Sequence, residues 1–326
     1  MNGRNQTSVS EFLLLGFSDQ PEQQKFLFGI FLWMYMVTII GNLLIVLAII
    51  SDAHLHTPMY LFIANLSFSD VCFISTSIPK MLANIQRQNK AISYAECLTQ
   101  MYFLFLFATM DNFILAMMAY DRYVAICFPL YYSTIMSPRF CLLIFLLAFL
   151  VAQFYSLLHT SLLTKLSFCG DNQISHIFCE IYALLTLSCS TTHLNEIIIY
   201  TLGTALFLSS LSFILVSYVH IISAVLKVPS VSGRWKAFST CSSHLSVVIL
   251  FYGTLVAVYL RPSSTHTVKD SVATVMYAVV TPMLNPFIYS LKNQDIKQAL
   301  RRIINQTSTK MFCSSTEVSL SLGPKF

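Results

Sequence analysis

The sequence predicts an all-α membrane protein: a bundle of seven transmembrane helices followed by a short amphipathic eighth helix. Three observations carry this. Hydrophobic residues make up 56% of the 326 residues and charged residues only 10%, against about 25% charged in ordinary soluble domains. Mean hydropathy is +0.69. The charges also leave seven long apolar intervals, each able to hold the ~20 apolar residues that a bilayer-spanning helix needs. Lipid offers the backbone no hydrogen-bond partners, so intervals of this length form helices. The net charge of +5 is small, and no basic stripe or zinc-finger spacing points to nucleic acid. Nothing resembles a catalytic triad, a phosphate-binding loop or a zinc motif, so the chain is not read as an enzyme.

Taken in order, residues 1–25 form an N-terminal segment. Its apolar run Phe12 to Phe17 is shorter than a signal-peptide core of roughly 7–15 residues and follows Glu11, so the first span is expected to act as an uncleaved anchor. The membrane domain covers 26–291. Span one lies between Lys25 and Asp52 and holds no charge. Span two, between Asp52 and Lys80, holds only Asp70, and span three, from Cys97 to Tyr120, holds only Asp111. Arg139 to Lys165 brackets span four, Glu196 to Lys227 span five, Lys236 to Arg261 span six and Asp270 to Lys292 span seven. Residues 292–304 place Ile296, Leu300, Ile303 and Ile304 on one helical face and Lys297, Arg301 and Arg302 elsewhere, the pattern of a helix lying on a membrane surface. Residues 305–326 read as a disordered cytoplasmic tail.

An odd number of spans puts the termini on opposite sides. Lys292, Lys297, Arg301, Arg302 and Lys310 of the tail share a side with Lys227, Arg234, Lys236, Arg122 and Arg139, with few acids nearby. On the other side the basic residues are balanced by acids. The positive-inside bias therefore predicts an external N-terminus and a cytosolic C-terminus. Asn5-Gln6-Thr7 is then an external glycosylation sequon with Asn5 as acceptor. Cys97, Cys169, Cys179 and Cys189 fall in external segments, where disulfides form, and four cysteines allow three pairings.

Polar groups inside the spans point to function. Asp121-Arg122 closes span three, within Met118 to Cys127 and before Pro129. Charges bordering a span are expensive and usually functional, the bland alternative being an ion pair that only sets topology. Asp70 lies twelve residues after Pro58, about 18 Å at the helical rise, and Asp111 lies eleven before Arg122, about 16 Å. Both acids are thus expected at similar depth, where they could share a cation or a proton. Span seven carries Pro282 and Pro286. A helix-interior proline frees a carbonyl and bends the helix, and Asn285 is placed to help satisfy it.

Several motifs resemble the rhodopsin-like G-protein-coupled receptors: Gly41-Asn42, Asn65 to Asp70, Asp121-Arg122-Tyr123, and Asn285-Pro286-Phe287-Ile288-Tyr289. Leu55 to Tyr60, Met118 to Cys127, Ser217-Tyr218, Lys236 to Leu245 and Pro282 to Tyr289 resemble, more narrowly, the olfactory (odorant) receptor family. Spans four and six lack the tryptophan of other rhodopsin-like receptors, and span three lacks an acid near its outer end that an amine receptor would use. The resemblance implies disulfides Cys97–Cys179 and Cys169–Cys189. It implies a sodium-site region at Asp70 and Asp111. It also implies a switch in which Asp121 holds Arg122 at rest, with Tyr218 and Tyr289 as the arginine's partners and Lys236 to His244 as the moving base of span six.

The implied partners are a small volatile ligand and a heterotrimeric G protein of the stimulatory or olfactory type, with cyclic AMP rising downstream. On the faces that match the family's pocket lie Leu104, Phe105, Ala108, Thr109 and Asn112 of span three. Leu202 and Leu206 of span five, Tyr252, Leu255, Val256 and Tyr259 of span six, and Ala278 of span seven complete the candidate pocket. These offer hydrogen bonds and no charge, so neutral hydrophobic ligands such as alcohols, esters, ketones or aromatics are expected. His176 to Glu180 resembles a copper-binding segment, but Cys179 is required for the disulfide, so no metal is expected. The rival readings are a receptor for a non-olfactory metabolite and an ion-coupled transporter; the latter would show paired repeats, and none is visible.

Overall fold

Proline starts three of the long helices. Pro21, Pro58 and Pro138 each sit in the first helical turn, where the missing N–H would have no intrahelical partner in any case. Span three starts instead with a capping box, in which the Ser93 hydroxyl and the Glu96 carboxylate each accept the other residue's backbone N–H. The computed structural model describes residues 10–16, 20–170, 172–259, 274–303 and 305, without the side chains of Lys236, Thr240, Val258, Tyr259, Leu291 and Lys292. The predicted sequon at Asn5 and the tail from 306 lie outside the described residues.

The spans are Pro21–Ser51, Pro58–Arg87, Tyr94–Cys127, Pro138–Leu163, His193–Leu226 and Val231–Tyr259, each long and apolar enough to cross a membrane. The seventh runs through a π-helical turn, Met276–Val280, into Thr281–Lys292. Span three is the central post, packing on spans two, four, five and six. Its apolar window is 56% buried, against 28% for spans one and four. The remainder of spans one and four, including Leu142, Leu143, Leu146 and Leu150, points outward as a lipid-facing surface.

One end of the bundle is capped by irregular structure that periodicity does not reveal. Strand β1 (Glu11–Leu14) pairs antiparallel with β2 (Ala91–Ser93) and parallel with β3 (Gln173–Ile174), giving the order β2-β1-β3. The apolar run that begins at Phe12 is thus part of a strand: Phe12 is fully buried and packs edge-to-face on Phe168 at 5.2 Å. Disulfides Cys97–Cys179 and Cys169–Cys189, with Cα separations of 5.6 and 5.9 Å, fix the long loop and its short helix Ile181–Leu187. At the opposite end residues 294–303 are helical. Ile296 and Ala299 are buried in the main core and Leu300 and Ile303 pack against it, so the apolar face docks on the bundle itself. The Tyr60 hydroxyl donates to Asp295 Oδ2 at 2.7 Å, and Arg302 Nη1 to Asp52 Oδ2 at 2.7 Å, which clamps that helix to spans one and two.

Candidate functional site

Toward the disulfide end, spans three to seven and the loop helix line a cavity of about 250 Å³. Five of the sequence-nominated residues line it: Phe105, Ala108, Thr109, Leu255 and Val256. Leu104, with Phe105 and Ala108, lines an adjoining cavity of about 50 Å³. Asn112, one turn further along span three, is fully buried in a polar relay. Its Oδ1 accepts the Tyr252 hydroxyl at 2.6 Å, and its Nδ2 donates to Ser210 Oγ at 2.8 Å. The Tyr259 side chain lies outside the described residues.

Leu202, Leu206 and Ala278 do not line either cavity, and the reason is local. Span five contains a π-helical turn over Ile199–Gly203, which shifts the inward face by one residue, so Gly203 and Phe207 line the cavity instead. The turn Met276–Val280 does the same in span seven: Tyr277 lines both cavities while Ala278 is buried among Phe73 and Phe178. Phe207→Ala is therefore expected to weaken agonist potency by about tenfold or more, the value of roughly half a buried aromatic side chain, and Leu206→Ala to change it little. Dose–response curves for the two variants check the register. If Leu206→Ala has the larger effect, the sequence-derived face is the correct one.

Sequence reasoning also missed Tyr155 of span four and Ile181 and Tyr182 of the loop helix. For Tyr155 a signal exists: Tyr155 and His159 stand four apart on one face of a membrane-spanning helix, where a histidine needs a reason. His159 is buried, stacks on Phe105 at 5.0 Å and meets the Tyr155 ring at 4.4 Å. Gly203 permits the close approach of span five, since a Cβ there would lie 3.1 Å from the Tyr155 hydroxyl. The loop supplied a further surprise in Glu180, which lines the smaller cavity and accepts the Ala183 N–H at 3.0 Å. Burial pushes its carboxyl up to about 7, against the opposing pull of the Ala183 and Tyr182 N–H groups. The pocket region therefore holds a carboxyl group that the sequence-derived pocket did not include.

Below the relay, Asp70 and Asp111 line a common space of about 10 Å³, roughly the room for one water-sized occupant. Asp70 Oδ2 accepts Asn285 Nδ2 at 2.9 Å. Of the atoms on residues that line it, Asp111 Oδ1 and Asn285 Oδ1 are buried without a hydrogen-bond partner. An oxygen-rich donor set of this kind suits a hard cation. Asn285 is not the group that relieves the proline bend. Pro286 leaves the Pro282 carbonyl without its helical donor, and Asn42 Nδ2 of span one donates to it at 3.1 Å. Gly41 keeps that helix pair close, because a Cβ there would sit 3.1 Å from Pro286 Cβ. Cys179 is disulfide-bonded, so His176 to Glu180 offers no thiolate to copper.

At the far end, Asp121 does not hold Arg122. Consecutive helical side chains diverge by about 100°, and Asp121 instead accepts the Tyr132 hydroxyl at 2.7 Å from the following loop. The two residues form no ion pair, and Arg122 Nε is buried without a hydrogen-bond partner. Tyr123 packs edge-on against Phe128 at 5.6 Å. Span six is tied down by His244. Its Nε2 lies 3.0 Å from the Leu115 carbonyl, which only accepts, so Nε2 carries the proton and Nδ1 accepts the Tyr218 hydroxyl at 2.8 Å. One imidazole thus joins spans three, five and six. Tyr289 is buried, its hydroxyl 3.9 Å from Met118 Sδ. The Lys236 side chain lies outside the described residues. Loss of the two His244 bonds, each worth about 1 kcal/mol, is expected to raise unstimulated signalling several-fold in His244→Ala. Basal second-messenger levels at matched surface expression check this, and unchanged levels would refute the tie.

The olfactory receptor family matches residues 31–307. The chain belongs to the olfactory receptor family. It is 59% identical over 305 residues to olfactory receptor 1D2 of Gorilla gorilla gorilla, covering 94% of this chain and 98% of that protein. To olfactory receptor 1D2 of Homo sapiens it is 58% identical over 306 residues, with the same coverages. Its fold is similar to that of squid rhodopsin, with a TM-score of 0.70 at 19% identity, covering 87% of this chain and 81% of that one. As an olfactory receptor the chain is a multi-pass membrane protein of the G-protein-coupled class and not an enzyme.

Proposed function

We propose that this olfactory receptor binds a small, neutral, mostly hydrophobic volatile ligand in the cavity lined by Phe105, Thr109, Tyr155 and Phe207, and activates a stimulatory-type heterotrimeric G protein that raises cyclic AMP. The supporting observation is mechanical. Tyr252 and His244 stand on one helix, span six, with Tyr252 bonded to Asn112 just beneath the cavity and His244 bonded to spans three and five. A ligand that disturbs the Tyr252–Asn112 bond acts on the helix that His244 restrains. Displacement of span six would then open the Arg122 end to the G protein, and by linkage the bound G protein would raise ligand affinity. In this reading the disulfide-capped end and the N-terminus face outward and the helix 294–303 lies in the cytosol. Asp70 and Asp111 hold a sodium ion or share a proton, since two buried carboxyl groups in one small space need compensation of that kind.

The test is a screen of volatile compounds against the receptor in cells with a cyclic AMP reporter, ordered by charge class. Activation by neutral alcohols, esters, ketones or aromatics supports the reading. Activation confined to carboxylates or amines would overturn the ligand class, and responses carried by calcium release without cyclic AMP would overturn the G-protein class.

A further inference from the structure

The cavity does not close on all sides within the bundle. Tyr200, Thr204 and Leu208 recur every fourth residue along span five and line it, yet all three are exposed, Tyr200 at 56% and Leu208 at 55%. On span six Val256 lines the same space and is 48% exposed. A side chain that borders an interior space and also meets the exterior marks the rim of an opening. The inner wall, by contrast, includes Thr109, whose side chain is fully enclosed. The space therefore runs from span three to the outer surface of the bundle between spans five and six.

Local features keep that gap open. The π-helical turn at Ile199–Gly203 rotates the outer half of span five relative to its inner half. Gly253 of span six, three residues before Val256 and so about 60° further round the helix, is exposed with nothing within 4 Å of where a Cβ would stand. The two helices continue the rim with exposed apolar groups: Leu215 and Ile249 each stand seven residues, two helical turns, from the rim residues Leu208 and Val256. In a bilayer such a surface faces hydrocarbon, so the mouth opens on lipid rather than water.

We propose that ligands enter and leave this receptor from within the bilayer, through the gap between spans five and six. The inference rests on the cavity being the ligand site. Apolar molecules concentrate in hydrocarbon, so the membrane acts as the reservoir from which the cavity fills. The rim carries hydroxyls of Tyr200 and Thr204 that suit the single polar group of an alcohol or ester during passage. Selectivity then has two stages, partition into lipid and fit within the cavity.

The experiment uses the full-length receptor in phosphatidylcholine nanodiscs and, as probe, a medium-chain aliphatic alcohol carrying a diazirine. Flash photolysis at increasing delays after mixing, followed by peptide mapping, reports the rate at which cavity residues of span three become labelled. Gly253→Phe places a ring at the outer mouth without altering a cavity-lining residue. It is expected to slow labelling of the span-three segment by about tenfold, the effect of a barrier of roughly 1.4 kcal/mol, with the final extent unchanged. Leu208→Ala, which widens the mouth, is expected to accelerate it. Labelling of lipid-facing positions on span one should be equal in all variants. Unchanged rates in both variants would overturn the lateral route in favour of entry from the capped end. No labelling of span three even in the unmodified receptor would instead overturn the cavity as the ligand site, and the route with it.

Discussion

Arg122→Ala is expected to abolish agonist-driven cyclic AMP while leaving surface expression largely intact. The structure separates the two effects. Arg122 makes no ion pair with Asp121, and its Nε is buried without a hydrogen-bond partner, so its removal leaves no carboxylate stranded. Asp121 keeps the Tyr132 hydroxyl, which anchors the loop after span three independently of the arginine. What disappears is a cation standing where span three ends, near Tyr218 and His244. Removing one partner of a buried charge pair costs about 3–5 kcal/mol, so a marked loss of surface receptor would show that Arg122 is held in a pair at rest. Full agonist response in a normally expressed variant would remove Arg122 from signalling. Asp121→Asn separates the roles further: it is expected to loosen the Tyr132 contact and alter basal activity, with the agonist response retained.

Cys97→Ser is expected to prevent delivery to the cell surface. Both sulfurs of the Cys97–Cys179 bridge lie on fully buried residues, and the bridge closes a segment of 82 residues. Loss of a native disulfide of this kind costs about 2–5 kcal/mol, a large part of the stability of a typical domain. A second clasp depends on the first: Gln100 Oε1 accepts the Cys179 N–H at 2.8 Å while its Nε2 donates to the Thr76 carbonyl at 3.0 Å. Losing the bridge therefore frees the loop from spans two and three together, and the β1 strand and the cavity roof with it. The Cys169–Cys189 bridge closes a loop of only 20 residues, so Cys169→Ser is expected to reduce surface delivery less. Flow cytometry of N-terminally tagged receptors checks both, and normal trafficking of Cys97→Ser would refute the structural role.

Much of the molecule is legible from residue order alone. The spans follow from the spacing of charges, because a charge within hydrocarbon costs more than any local preference can offset. The depths of Asp70 and Asp111 follow from helical rise, and the structure lines one small space with both. The cavity was legible in part. Phe105, Ala108, Thr109, Leu255 and Val256 follow from uniform helical geometry, whereas Leu202, Leu206 and Ala278 fail where the geometry is not uniform. Each of these three is displaced by one residue beside a π-helical turn, and no propensity marks such a turn. The partner of the Pro282 carbonyl was misassigned for a related reason. Asn285 is nearest in sequence, but Asn42 of another helix is nearest in space.

The sequence by itself determined which segments cross the membrane and that Cys97, Cys169, Cys179 and Cys189 form the candidate disulfide set. These rest on hydrophobicity, charge and local spacing, all written one residue at a time. Only the tertiary structure decided that His244 joins three spans, that Asp121 serves Tyr132 rather than Arg122, and that the cavity has a mouth between spans five and six. Each depends on side chains far apart in the chain, and on how a single extra residue in a turn rotates everything beyond it. The pattern of residues carries no record of that rotation until the helices pack.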